Sequence, residues 1–213
     1  PISHVAPAPL ENVQAQLEAV QRGFFVDAVK TGMLWSQSII EAVAAAVNGH
    51  PVPLVVDPVM VATSGARLLS EDAVGAYVDA LFPKATLVTP NLAEAQVLGE
   101  LTGCIDGQLA SMAADALPRQ AARLRAALGV RALLLTGIVE GDGLVDLLVT
   151  PDAQVPIPQP RVAGADLHGT GCRLASAIAA RLALGDPVEA ACRAAQRWLQ
   201  RDLARYRAPA RSA

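Results

Sequence analysis

His168-Gly169-Thr170-Gly171-Cys172 runs directly into the apolar stretch Arg173-Leu174-Ala175-Ser176-Ala177-Ile178-Ala179-Ala180. Leu174, Ile178 and Leu182 recur every four residues, which is the spacing of one buried helical face. The glycines let backbone N–H groups come close to a ligand, and a helix N-terminus carries a partial positive charge. The stretch therefore predicts a helix whose first turn binds an anion, most simply a phosphate in transfer.

Cys172 falls in the first turn of this helix, where the same field should favour the thiolate over the thiol. An ordinary glycine-rich loop that leads into a helix explains the stretch equally well. No Gly-Lys-Ser/Thr follows, as a P-loop requires, and Leu174 stands where a dinucleotide-binding fingerprint has glycine. The local sequence leaves both interpretations open.

The composition favours an α/β fold with a core of small aliphatic side chains. Of the 213 residues, 53% are hydrophobic but only 3% are aromatic, which favours helices packed on a buried sheet over an aromatic-rich β-sandwich. The net charge of -3 argues against a nucleic acid or an anionic membrane as partner. No apolar run reaches the roughly 18 residues of a membrane span, and no signal peptide is visible. The three cysteines are odd in number and far apart, so we expect no disulfide framework and a soluble, cytoplasmic protein.

Strand and helix signals alternate along most of the chain, which predicts right-handed βαβ units in one domain over residues 1–213. The predicted strands are 24–29, 53–56, 85–89, 131–136, 144–149 and 154–158, with a hairpin turn over 137–143. The predicted helices are 10–22, a helix from Ser36 or Ser38 to about Val47, one starting at Ser70, 112–128 with Pro118 near its start or kinking it, one after the opening motif, and one after Asp186.

Two acidic residues follow predicted strands. Asp57 stands at the carboxyl end of a buried strand, where open α/β sheets bind their ligands, although a turn or capping role would also explain it. Asn91 and Glu94 have the spacing of a capping box, which is sufficient to explain both residues structurally. The functional alternative is that Glu94 holds a hydrated magnesium ion beside nucleotide phosphates. Local evidence favours the cap.

Four segments, in this order, carry a family resemblance: Lys30-Thr31-Gly32-Met33-Leu34; Asp57-Pro58-Val59-Met60 with Ser64-Gly65 and Leu68-Leu69; Thr89-Pro90-Asn91-Leu92 with Glu94-Ala95; and His168-Gly169-Thr170-Gly171-Cys172. Together they resemble the hydroxymethylpyrimidine/phosphomethylpyrimidine kinases of thiamine biosynthesis, which belong to the ribokinase-like superfamily. Any one motif is weak evidence, whereas four in the family's order and approximate spacing are strong evidence. The resemblance implies a three-layer α/β/α sandwich with a mostly parallel central sheet.

The resemblance also implies ATP-dependent phosphorylation of the hydroxymethyl group of an aminopyrimidine, and then of its monophosphate, by a homodimer. Gly169, Thr170, Gly171 and Cys172 would form an anion hole. Cys172 is the candidate base, because it occupies the position where sugar kinases of the superfamily have a catalytic aspartate.

The remaining roles implied by the resemblance concern the nucleotide and the pyrimidine. Asn91 and Glu94 would organise Mg²⁺ and the phosphates, with Glu94 as the metal-binding residue, and Asp57 would lie near the phosphates. Met33 and Val59 would line the pyrimidine pocket.

The sequence departs from the family pattern at several points. The family's early Gly-x-Asp-x-Ser-Gly-Gly-Ala-Gly motif is absent, so we expect the sheet to lack its N-terminal strands and the pocket to lack one wall. On this basis the 213-residue chain alone should bind ATP weakly and transfer phosphate below an enzymatic rate. Thr63 replaces a common lysine, Ile138-Val139 follow Gly137 where Gly-His is usual, and Arg173 replaces a common threonine.

Two alternatives to the pyrimidine kinase stay open. A pyridoxal-type kinase of the same superfamily would act on a similar flat heteroaromatic alcohol, although Cys172 and the Lys-x-Gly-Met segment favour the pyrimidine enzyme. A non-catalytic relative would keep the anion hole and bind a nucleotide or pyrimidine without turnover. The departures at Thr63 and Ile138 motivate this second alternative.

Overall fold

The structure, a computed structural model, describes residues 6–60, 69, 73–113, 115–160 and 169–205. Its centre is a six-stranded sheet whose strands lie side by side in chain order. Neighbours from β1 to β4 are parallel, and β5 and β6 add an antiparallel edge. The strands are β1 Val29–Thr31, β2 Leu54–Val56, β3 Leu87–Val88, β4 Leu133–Glu140, β5 Gly143–Val149 and β6 Gln154–Gln159.

Helices cover both faces of this sheet, as predicted for a three-layer sandwich. Leu54 and Val56 face a hydrophobic cluster with the first five helices, whereas Val55 faces a second cluster with the last two. This division follows from the alternation of side chains along a strand. The helices are α1 Leu10–Gly23, α2 Gln37–Ala46, α3 Ala73–Ala76, α4 Leu92–Thr102, α5 Leu117–Ala127, α6 Thr170–Ala183 and α7 Val188–Arg205. None of the helices in the described ranges combines the length and the apolar character needed to span a bilayer.

The helix starts follow their capping residues. The Ser36 side chain accepts a hydrogen bond from the Ile39 N–H, which makes Ser36 the N-cap of α2. The predicted helix over 112–128 begins only at Leu117, because Pro118 has no N–H and fits only the first turn. The predicted helix start at Ser70 lies outside the described residues, as do Thr63, Ser64-Gly65, Leu68 and His168.

The predicted strand over 24–29 is wrong, since β1 starts at Val29. Within the described residues β1 pairs with β2 alone, and the first ladder bond runs from the Val29 N–H to the Pro53 carbonyl. Phe24 is 72% exposed, so the apolar run that suggested a strand lies on the surface of the described structure.

The hairpin between β4 and β5 is longer and its turn tighter than predicted. β4 continues to Glu140, and the pairing register shifts between Leu135 and Ile138. Gly137 lies at this bulge with a φ of 73°, a conformation that glycine adopts without steric cost. The Gly137 N–H donates to Asp146 Oδ1 at 2.9 Å, so a buried carboxylate on β5 fixes the bulge.

An irregular helical segment follows α3. Residues Tyr77–Leu81 form a π-helical turn, and Phe82–Lys84 form a 3₁₀ turn before β3. Both Tyr77 and Phe82 are fully buried, and their rings pack with centroids 5.6 Å apart. The segment thus carries two of the largest core side chains under the end of the sheet that holds the predicted site.

Candidate active site

The parallel register brings three polar side chains to one face at the carboxyl ends of β1, β2 and β3. Lys30 pairs with Val55, and Asp57 and Thr89 each lie two residues beyond a residue of the second hydrophobic cluster. Because strand side chains alternate, all three residues face the layer of α6 and α7. Sequence analysis assigned a role to Asp57 alone; Lys30 and Thr89 lay within quoted motifs without one.

An ion pair lies at the centre of this row. Lys30 Nζ is 3.4 Å from Asp57 Oδ2, and the two side chains are only 18% and 7% exposed. Gly32 leaves room for the ammonium group, since a Cβ there would stand 2.9 Å from Lys30 Nζ. The arrangement pairs a buried cation with a buried anion at the sheet edge where α/β proteins bind ligands.

Polar atoms at these strand ends lack hydrogen-bond partners, two of them in the row and one, on Thr31, on the opposite face of the sheet. Among the described residues, Asp57 Oδ2, Thr31 Oγ1 and Thr89 Oγ1 are buried without one. A buried polar atom without a partner costs free energy, and native structures rarely tolerate it without a reason. Three such atoms at adjacent strand ends indicate that this edge is built to contact a polar ligand.

The first turn of α6 carries Cys172 to the same row. The Cys172 thiol hydrogen-bonds to Asp57 and also interacts with Lys30. Burial, followed by the hydrogen bond and charge of Asp57, raises the thiol pKa, and Lys30 only partly opposes this. The prediction that the helix N-terminus favours the thiolate is therefore wrong, because burial and then the neighbouring carboxylate both favour the neutral thiol.

No described side chain caps the N-terminus of α6. Gly169 is the N-cap residue, with a φ of 84°. Thr170, Gly171 and Cys172 therefore begin the helix with backbone N–H groups that helix geometry leaves without intrahelical acceptors. Added Cβ atoms at Gly169 or Gly171 would meet nothing within 4 Å, so there is room at this turn. The four residues predicted as an anion hole form one turn beside Lys30 and Asp57.

Asn91 and Glu94 form the predicted capping box at the start of α4. The Glu94 N–H donates to Asn91 Oδ1 at 2.9 Å, and the Asn91 N–H donates to Glu94 Oε2 at 3.0 Å. Burial, assisted by the charge of Asp57, raises the pKa of Glu94 to about 7, although hydrogen bonds from the Asn91 and Met60 N–H groups oppose the shift. The cap is thus confirmed, and its carboxyl group titrates near neutral pH.

The site can accept a magnesium ion only in the company of a ligand. The described residues contain no cluster of three or more His, Cys, Asp or Glu side chains that could enclose a metal. Mg²⁺, however, commonly uses one or two carboxylates together with substrate phosphates and water. Asp57 with its unpartnered oxygen and the buried Glu94 fit that donor set.

The two residues predicted to line the pyrimidine pocket lie at the same edge of the sheet. Met33 follows β1 and is 41% exposed, and Val59 follows β2 and is half-buried. A further residue that sequence analysis missed is Tyr77, whose hydroxyl reaches the loop that carries Met33. No pattern in the sequence singles out Tyr77, because its contact spans 45 residues.

A groove of about 750 Å³ leads away from Cys172 between α6 and α7. Its walls are largely small side chains, and they also carry Trp198 and four arginines: Arg173, Arg181, Arg197 and Arg201. Arg173 pairs with Asp202, and Arg181 pairs with Asp186. Two of the four arginines are thus paired with aspartates, so the positive charge of the groove is partly neutralised.

Comparison with known proteins identifies the family. Residues 1–211 match the family described as phosphomethylpyrimidine kinase. The chain is 42% identical over 201 residues to the thiamine biosynthesis bifunctional protein ThiED of Geobacter sulfurreducens, covering 93% of this chain and 39% of that protein. It is 41% identical to a hydroxymethylpyrimidine/phosphomethylpyrimidine kinase of Rhizobium meliloti, covering 93% of this chain and 72% of that protein. The chain therefore spans well under half of the bifunctional relative and about seven tenths of the single-function one.

Solved structures show the same fold. An ADP complex of Bacillus subtilis pyridoxal kinase superposes with a TM-score of 0.77 at 31% identity, covering 91% of this chain and 71% of that one. The α/β/α architecture is thus that of the ribokinase-like kinases, as the four motifs predicted.

Proposed function

This chain belongs to the phosphomethylpyrimidine kinase family, and we propose that its site transfers phosphate from ATP to 4-amino-5-hydroxymethyl-2-methylpyrimidine and then to its monophosphate, in thiamine biosynthesis. One observation carries the proposal: the Lys30–Asp57 pair, with its unpartnered carboxylate oxygen, meets Cys172 beneath an uncapped helix N-terminus. A fixed cation and oriented N–H groups are what phosphoryl transfer requires, because enzymes catalyse this reaction mostly by positioning the reactants and stabilising charge.

The nucleotide phosphates would bind between the first turn of α6 and Lys30. The N–H groups of Thr170, Gly171 and Cys172 would donate to phosphate oxygens, and the Lys30 ammonium would neutralise negative charge as the bond to the leaving phosphate breaks. Glu94 would hold Mg²⁺, which would supply further neutralisation of the phosphates, and Asp57 would lie beside them.

Cys172 would accept the proton of the substrate hydroxyl. The thiol is protonated in the free chain and hydrogen-bonds to Asp57. The thiol proton would pass to the Asp57 carboxylate, and the Cys172 sulfur would then take the proton of the substrate hydroxyl. The alcohol oxygen would form its bond to phosphorus as it loses this proton. Lys30, which lowers the thiol pKa, assists this transfer by stabilising negative charge on the sulfur.

An ATP-consumption assay on the full natural chain tests the proposal, with the aminopyrimidine alcohol and pyridoxal offered side by side. We expect turnover with the pyrimidine, and a kcat lower by on the order of 10²–10⁴ in Cys172→Ala if Cys172 is the base. Cys104→Ala is the matched control, because Cys104 lies beyond α4 and away from the row. Unchanged turnover in Cys172→Ala would remove the base assignment and leave only the backbone anion hole.

A pyridoxal kinase is the second candidate, favoured by the structural similarity to Bacillus subtilis pyridoxal kinase. Preferential turnover of pyridoxal in the same assay would establish it instead. Nucleotide binding without turnover of either alcohol would establish the non-catalytic alternative. The homodimer implied by the family resemblance stays a prediction, which sedimentation equilibrium of the same protein would check.

A further inference from the structure

Tyr77 connects the π-helical turn to the loop between β1 and α2. Its side chain is fully buried, yet its hydroxyl donates to the Gly32 carbonyl at 3.1 Å. The same oxygen accepts a hydrogen bond from the Leu34 N–H. Tyr77 thus holds the backbone on both sides of Met33, a residue predicted to contact the pyrimidine.

The loop that Tyr77 holds has a strained conformation. Trp35 has a φ of 65° and is the single non-glycine residue with positive φ in the described ranges. The next residue folds back tightly, with the Ser36 N–H bonded to the Leu34 carbonyl at 2.8 Å. Such a backbone persists only where its surroundings fix it, and strained residues of this kind cluster at ligand sites.

Two independent features indicate that the Tyr77 side chain is held rigidly in place. Tyr77 begins a π-helical turn, a rare geometry that occurs frequently at functional sites. Its ring packs against Phe82 in the core, so the hydroxyl cannot follow the loop if the loop moves. Burial, with the charges of Asp57 and Glu94, raises the pKa of Tyr77, and the hydroxyl therefore keeps the proton that it donates.

We propose that Tyr77 is a positioning residue that fixes the loop from Gly32 to Trp35. By holding this loop, Tyr77 keeps Met33 in the position that binds the pyrimidine. Tyr77 thereby affects the affinity of the site for the pyrimidine acceptor without contacting it. The inference rests on the proposed function for the identity of the acceptor. The loop-holding role rests on the hydrogen bonds alone and stands apart from it.

The test is Tyr77→Phe, which removes the hydroxyl and keeps the ring. Loss of the two hydrogen bonds should raise KM for the aminopyrimidine alcohol about 3- to 10-fold, with KM for ATP unchanged. Leu124→Val is the control for a general loss of core packing, because Leu124 is buried in the same hydrophobic cluster but lies on α5 and not against Tyr77. This control should lower Tm but leave both KM values unaltered.

A second readout needs no substrate. The chain contains two tryptophans, so Trp198→Phe leaves Trp35 as the only one and makes its fluorescence a reporter of the loop. In that background, acrylamide quenching of Trp35 should increase with Tyr77→Phe and stay unchanged with Leu124→Val. Unchanged quenching in Tyr77→Phe, or an equal rise in both KM values, would overturn the positioning role. Failure of the full natural chain to phosphorylate the pyrimidine would instead refute the proposed function, and the quenching result would still decide the role of Tyr77.

Discussion

Two aspartates, Asp57 and Asp146, lie buried on the same face of the sheet in opposite states of hydrogen bonding. Asp146 is 1% exposed, and its carboxylate accepts from the Gly137 N–H, from Gln159 Nε2 and from Gln196 Nε2. Asp57 is 5% exposed, and its Oδ2 has no hydrogen-bond partner among the described residues, with Lys30 as its nearby cation. Burial alone therefore does not identify a functional carboxylate. A buried carboxylate oxygen that lacks a hydrogen bond, next to a cation and a thiol, does.

The partners of the two aspartates explain the difference. Those of Asp146 belong to structural elements: the bulge in β4, the edge strand β6 and the core side of α7. Those of Asp57 lie on strand and helix ends that open to ligand. Asp146 holds the antiparallel edge of the sheet together, and Asp57 prepares the parallel edge for chemistry.

Asp57→Asn should have the largest effect of the substitutions that distinguish the surroundings of Asp57 from those of Asp146. We expect kcat to fall by about 10²-fold or more, because the substitution removes both the partner of Lys30 and the proton acceptor for Cys172. Thermal stability should also fall, since the substitution leaves the buried Lys30 ammonium without its counter-charge. Steady-state kinetics and a thermal melt on the same preparation check both expectations. Normal turnover would place Asp57 with Asp146 as a structural carboxylate.

Glu94→Gln should have the next largest effect. Glutamine retains much of the hydrogen bonding of the capping box, so unfolding free energy should change by about 1 kcal/mol at most. Loss of the charge should reduce turnover by about 10-fold or more and shift the magnesium dependence to higher concentration. A magnesium titration of activity measures this shift. Wild-type activity at every magnesium concentration would leave Glu94 with the capping role alone.

Asp146→Asn should show the reverse pattern. The asparagine amide would face donors that now point at carboxylate oxygens, which should cost about 1–3 kcal/mol of stability. Turnover should change little, because no partner of Asp146 lies in the site. Chemical denaturation beside a kinetic assay provides the comparison. A kinetic defect without loss of stability would contradict the division between the two regions.

The smallest expected effect is on the pH dependence of stability. Burial raises the pKa of Asp146 to about 7 from 3.8, and that of Glu94 to about 7 from 4.5. As pH falls from about 8 to about 5, the folded chain binds these protons while the unfolded chain does not, so the two carboxyls contribute rising stability. Thermal melts across this range should show a smaller rise in Asp146→Asn than in the wild type. Equal slopes in the two proteins would rule out a raised pKa at Asp146.

Sequence reasoning could predict the features that are local. The helix periodicity of Leu174, Ile178 and Leu182 and the capping box of Asn91 and Glu94 depend on neighbouring residues, and both appear as expected. The order of the motifs likewise predicted the fold class, because the first three motifs lie at the ends of strands and the described part of the fourth begins a helix.

The features that failed depend on contacts distant in sequence. The thiol pKa of Cys172 is raised by burial and by Asp57, which lies far away in the chain, so reasoning from the local helix field gave the wrong direction. The start of β1 depends on the hydrogen bond between the Val29 N–H and the Pro53 carbonyl next to β2. The role of Tyr77 depends on a loop 45 residues earlier. Register and burial create these contacts, and a pattern of residue types does not contain them.

The most direct test of the central claim, that the row at the parallel edge is the phosphate-transfer site, is the alkylation rate of Cys172 with and without magnesium and a non-hydrolysable ATP analogue. Mass spectrometry resolves labelling at Cys172 from that at Cys104, which serves as the internal control. We predict that nucleotide slows labelling of Cys172 and leaves Cys104 unaffected. The claim would be contradicted if Cys172 is labelled at the same rate with and without nucleotide, at nucleotide concentrations that saturate binding in equilibrium dialysis.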